Sequence, residues 1–169
     1  MRAQDLLRAQ FGQAYNVIEQ VIGDCDEEAL TRVVGGTVGS ISAIYAHLVF
    51  DEDGWTAAPA GRERLWESGD WANKMGFEMP GPMQSQDWAQ SGVRYDLEAF
   101  REYARAMYAA TDDFLATASD DALDAEVAAG GGKMPLGRWV GAVGVWHVMS
   151  HQGEISAVKG AQGLKGLPF

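Results

Sequence analysis

The chain has 169 residues, 47% of them hydrophobic and six of them tryptophan, enough apolar surface for one domain with a packed core and too much for a disordered chain. Its 24 acidic residues against 13 basic ones leave a net charge of -11 spread along the sequence, a field that repels phosphate backbones and argues against nucleic acid as a partner. No apolar run suits a signal peptide or a membrane span, so no membrane partner is expected and the cytoplasm is the default location.

Along the chain, Leu7, Phe11, Ala14, Ile18 and Val21 recur at helical spacing between polar residues, which predicts an amphipathic helix from Ala3 to Ile22. The next segment, "GDCDEEALTRVVGGT", breaks that period. It carries Cys25, the only cysteine, so no internal disulfide and no cysteine-built zinc site can form. The acidic neighbours of Cys25 raise its pKa and make it a poor nucleophile.

Gly35, Gly36 and a capping Thr37 announce a second helix, "VGSISAIYAHLVFDEDGW", with His47 in its later half. From Thr56 to about Tyr95 the period is lost, although Trp66, Trp71, Phe77 and Trp88 lie there beside Pro59, Pro80 and Pro82. A long aromatic-rich connection of this kind either folds back as an irregular lid, with room for a short helix, or covers one end of the core.

Asp96 can cap a third helix whose apolar positions Leu97, Phe100, Ala104, Met107, Thr111, Phe114 and Leu115 run to about Ala118. After a glycine-rich turn, Pro135 suits the first turn of a last helix from Leu136 to Val158, in which Gly137, Gly141, Gly144 and Gly153 allow close approach of a neighbour. No segment shows the period of a strand. The expectation is an all-α four-helix bundle, with a long irregular connection between helices two and three that lets those two run parallel.

The last helix spends two of the chain's three histidines, His147 and His151, one turn apart. At about 100° per residue, His151 stands about 40° from His147, and Glu154 about 20° to the other side, all on one largely apolar face. Two imidazoles at i, i+4 can chelate one cation, and His47, also among apolar neighbours, is the remaining histidine to complete a three-nitrogen set. Such a set leaves an open position and suits zinc, nickel or ferrous iron. A structural role for the same histidines is the competing reading.

A metalloprotease is excluded because Val148, not glutamate, follows His147, and a di-iron bundle because no Glu-x-x-His pair occurs. Glu154, Asp51 and Glu52 are candidate catalytic helpers, able to hold an imidazole N–H or take a proton. Glu154 fits the holding role better than ligation; Asp51 and Glu52 also read as a solvated helix end. Trp55, Trp66, Trp71 and Trp88 are candidate walls of an apolar cavity, or core.

The histidine followed by an acidic segment and a tryptophan in "AHLVFDEDGW", the late "HVMSHQGEI" and the closing "GLKGLPF" together resemble the DinB/YfiT-like superfamily of small metal-binding bundles, over nearly the whole chain. The resemblance implies one up-down-down-up bundle domain over 1–169, with 56–95 as a lid-like insertion, commonly a homodimer. It maps the family's metal triad onto His47, His147 and His151, holding one divalent transition metal, zinc or nickel before iron.

It further implies a small-molecule substrate and chemistry on a low-molecular-weight thiol, by S-transfer or isomerisation, in which the metal stabilises the thiolate or activates a water. Arg62, Arg64, Lys74 and Arg94 are too scattered to read as a site for an anionic thiol. The alternative is a non-catalytic stress-response protein that binds metal or a small apolar ligand.

Overall fold

The computed structural model describes residues 1–77, 85–129 and 131–169. Residues 78–84 of the expected insertion and Gly130 of the expected turn lie outside them. Four long helices carry the architecture: α1 (Ala3–Ile22), α3 (Ile41–Ala57), α7 (Leu97–Thr117) and α10 (Trp146–Ala161). Short helices lie between them: α2 (Glu27–Thr31), α4 (Leu65–Ser68), α5 (Trp71–Met75), α6 (Gln86–Ala89), α8 (Asp120–Asp124) and α9 (Leu136–Trp139).

Pairs at the helix ends fix directions. Gln4 donates to Asp120 Oδ1 at 2.7 Å while Arg101 meets Glu19 at 3.0 Å, so α1 and α7 are antiparallel. Lys159 Nζ donates to Val21 O at 2.6 Å, which brings the C-terminal ends of α1 and α10 together. Tyr95 reaches Ser42 O at 2.9 Å and Thr111 reaches Glu52 at 2.9 Å, so α3 and α7 run parallel.

Several elements differ from the sequence expectations. The segment after α1 contains the helix α2, capped by Asp26, whose side chain accepts from Ala29 N. The capping side chain of α3 is Ser40, not Thr37; its hydroxyl accepts from Ala43 N at 3.2 Å, and its own N–H pairs with Ala89 O at 3.0 Å. A two-stranded hairpin, β1 (Glu126–Ala129) with β2 (Gly132–Pro135), occupies the turn before the last helix, with Val127 opposite Met134. Strands of four residues are too short to display a period of two. Pro135 ends β2 and precedes the helix rather than opening its first turn.

Helix α3 is the axis of the core. Ile41, Ala43, Ile44, Tyr45, Ala46, Leu48, Val49 and Phe50 are all buried, and a helix apolar all round must be surrounded. On one side the aromatics of the 56–95 connection close over it: Trp66 meets Phe50 edge-on at 4.7 Å, Trp71 leans on Tyr103 at 5.4 Å, and Tyr95 stacks on Phe100 at 4.4 Å. No described helix is long and apolar enough to cross a membrane.

Asp53 ties this cover down. Its buried carboxylate accepts from Leu65 N and Trp66 N at 3.0 Å each, from Arg62 at 2.7 Å and from the Tyr103 hydroxyl at 2.8 Å. Burial pushes its pKa up, and these hydrogen bonds outweigh that and hold it below the ordinary value. Asp53→Ala would strand a guanidinium, a phenol and two amides, so a loss of about 3 kcal/mol is expected. Thermal unfolding should show it as a fall of roughly 10 °C in Tm; an unchanged Tm would mean that the carboxylate does not anchor the connection.

Candidate metal centre

His47 on α3 and His147 and His151 on α10 meet where the two helices pack. Ring centroids stand 5.1 Å apart for His47 and His147, 4.8 Å for His47 and His151, and 4.6 Å for His147 and His151. One ring nitrogen from each of the three lies within 4.8 Å of the others. Nε2 of His47 and Nε2 of His147 are 3.2 Å apart. Two nitrogens bound at about 2.0–2.1 Å to one tetrahedral ion stand about 3.3 Å from each other, so this pair already has the edge length of such a site.

Electrostatics make His47 and His147 ligands rather than cations. Burial pushes His147 down to about 4, and the neighbouring His151 and His47 add to the shift. His47 is lowered too, burial outweighing the pull of Asp51. Both are neutral at pH 7, with lone pairs to offer.

Glu154 Oε2 lies 2.8 Å from Nδ1 of His151, and that hydrogen bond holds the carboxyl below its ordinary pKa. An ionised carboxylate can only accept, so the His151 proton sits on Nδ1 and Nε2 is free to ligate. Asp51 Oδ2 stands 3.5 Å from Nδ1 of His47 and makes no hydrogen bond to it. Nδ1 of His47 and Nδ1 of His147 are buried without a hydrogen-bond partner among the described residues. Three histidine nitrogens turned toward one another, partly withdrawn from water and one of them backed by a carboxylate, are a donor set that fits a divalent transition metal.

A cavity of about 330 Å³ reaches His47, His151 and Glu154, and its walls include Ala43, Ile44 and Trp88. That volume is at the small end of ligand pockets. Of the four tryptophans expected as walls, Trp88 alone lines it. Trp66 and Trp71 cover Phe50 and Tyr103, and Trp55 packs on Trp139 at 4.6 Å and Phe11 at 6.5 Å.

The sequence model of the DinB superfamily matches residues 10–155. Among solved structures, a conserved protein from Enterococcus faecalis superposes with a TM-score of 0.82 over 95% of this chain and 97% of its own, at 14% identity, a likeness of fold. No curated protein matches the sequence.

Two features of the site were not visible in the spacing. The first is a π-helical stretch, Val140–Val145, immediately before α10. A wider turn of this kind rotates the downstream helix by up to about 100° relative to an unbroken α-helix, and so decides which way His147 and His151 face. Gly144 makes the close approach there: a Cβ would stand 2.6 Å from Trp55 Cη2 and 2.9 Å from Phe11 Cζ. The glycines of "VGAVGV" were the available signal.

The second is Glu52, which the structure does not bring to the histidines. Five residues beyond His47 it points about 140° away, and it is fully buried instead of capping a solvated helix end. Its Oε1 accepts from the hydroxyls of Tyr15 and Thr111, and its Oε2 has no partner among the described residues. Burial pushes its pKa from 4.5 up to about 7, against the pull of those two hydroxyls. A raised carboxyl adds stability in full below about 4.5 that is lost as pH rises through about 7, on the order of 3 kcal/mol in all. Glu52→Gln should therefore gain on wild type in Tm between pH 5 and 8, whereas a difference that does not vary with pH would contradict the protonated interior acid.

Proposed function

Since the chain belongs to the DinB superfamily, we propose that it is a metal-dependent enzyme in which His47, His147 and His151 hold one divalent transition ion, zinc or nickel before iron. The observation that carries this reading is the set of three imidazole nitrogens within 4.8 Å beside a small, partly apolar cavity. When bound, such an ion supplies Lewis acidity that lowers the pKa of a thiol or a water in its open position.

The chain's own residues do the rest. Burial keeps His47 and His147 unprotonated at neutral pH, so no proton has to leave before they ligate. Glu154 holds Nδ1 of His151 and, lying on the cavity lining, is placed to receive a proton there, while Asp51 stands beside His47. Ala43, Ile44 and Trp88 turn apolar surface toward the same space and limit competing water.

The chemistry we assign is S-transfer or isomerisation with a low-molecular-weight thiol, and hydrolysis is the second use the same residues permit. An apolar groove of about 460 Å³ between α1 and α10, where Met149 and Phe169 are exposed, supports homodimer formation as a further part of this reading.

The test is conjugation of monobromobimane with mycothiol, a thiol on an uncharged body, by metal-loaded protein: the thiol sulfur bonds to the methylene carbon, bromide leaves and the thiol proton passes to solvent. His151→Ala is expected to lower the rate to background. Glu154→Ala should weaken metal affinity by about 10- to 100-fold. Equal rates for wild type, His151→Ala and buffer would overturn the thiol assignment.

A further inference from the structure

The cavity that meets the histidines is selective in its charge. Glu154 lies on its lining, and Asp51 stands beside His47 behind it. None of the described lining residues is lysine or arginine.

The four basic side chains of the 56–95 connection are engaged elsewhere. Arg62 is held by Asp53, Arg64 donates to Phe50 O, Arg94 pairs with Glu27, and Lys74 sits over the Trp71 ring at 4.2 Å. A ligand entering this space loses water and meets carboxylates and apolar walls, in a chain whose net charge is -11. The charge of a divalent ion on neutral imidazoles is already balanced by the bound thiolate and Glu154, so an anionic substituent meets no further counter-charge, while an ammonium or a hydroxyl is not penalised in the same way.

We infer that the site takes small ligands whose metal-binding atom is carried on a neutral or cationic apolar body, and that it discriminates against anionic ones; this rests on the reading of the histidines as a metal site. The charge of the body is what separates these ligands, since the metal-binding atom is common to them.

The test uses protein loaded with Co²⁺, whose visible spectrum reports the occupied site, titrated with 6-aminohexanethiol, 6-mercaptohexanol and 6-mercaptohexanoate. The three share a thiol on a chain too long to chelate, and the sulfur-to-cobalt absorption band reports binding. The amine and the alcohol should saturate at concentrations at least about tenfold lower than the carboxylate, with the gap narrowing at high salt.

Ala89→Lys, which adds an ammonium to the cavity wall on α6, should narrow or reverse the gap while circular dichroism stays unchanged. Equal saturation by all three thiols, or a gap that neither salt nor Ala89→Lys alters, would overturn the charge selectivity and leave the metal site standing. Failure to take up cobalt, or no sulfur band with any thiol, would overturn the thiol–metal reading and this inference with it.

Discussion

Nε2 of His47 and Nε2 of His147 face each other at 3.2 Å across the contact between α3 and α10, where burial disfavours a charge on either ring. Two neutral imidazoles so placed share at most one proton between the facing nitrogens, and His151 brings a third nitrogen whose proton Glu154 holds on the far side of its ring. Withdrawal from water is thus the constraint on which the site depends. It keeps the His47 and His147 rings unprotonated, and a shared electrophile is a partner that would satisfy all three nitrogens.

Holding the rings there requires both helices to be fixed. Helix α3 is clamped by polar groups inside an apolar shell: Glu52 toward α1 and α7, and Asp53 toward α7 and the backbone of α4. Helix α10 is seated by the π-helical stretch before it, where Gly144 lets the rings of Trp55 and Phe11 come in, and at its other end by Lys159, which donates to Val21 O of α1. The donors are therefore carried on rigid helices, which is the arrangement that a preorganised site needs.

The legibility of the sequence followed the range of the physics. Helix α1 and the Asp96 cap of α7 were readable because period and capping are local, and both stand where expected. The His147–His151 pair was readable for the same reason, and His47 joined it on composition and family likeness, since nothing local links residues 100 positions apart. Asp51 and Glu52 read as a solvated end because acidic residues at a helix terminus normally are, and nothing in the spacing marked Asp53; the partners of Glu52 and Asp53, which are Tyr15, Thr111 and Tyr103, come from other helices. The hairpin was too short to carry a period, and a π-helical turn leaves no period of its own.

The measurement that bears most directly on this account is the transition-metal content of protein purified without added metal or a histidine tag, for wild type and His147→Ala side by side. The account predicts about one ion per wild-type chain and almost none in the variant, with helical content unchanged. No metal in either protein, and no uptake on titration with zinc, nickel or ferrous iron, would contradict it and return the three histidines to a structural role.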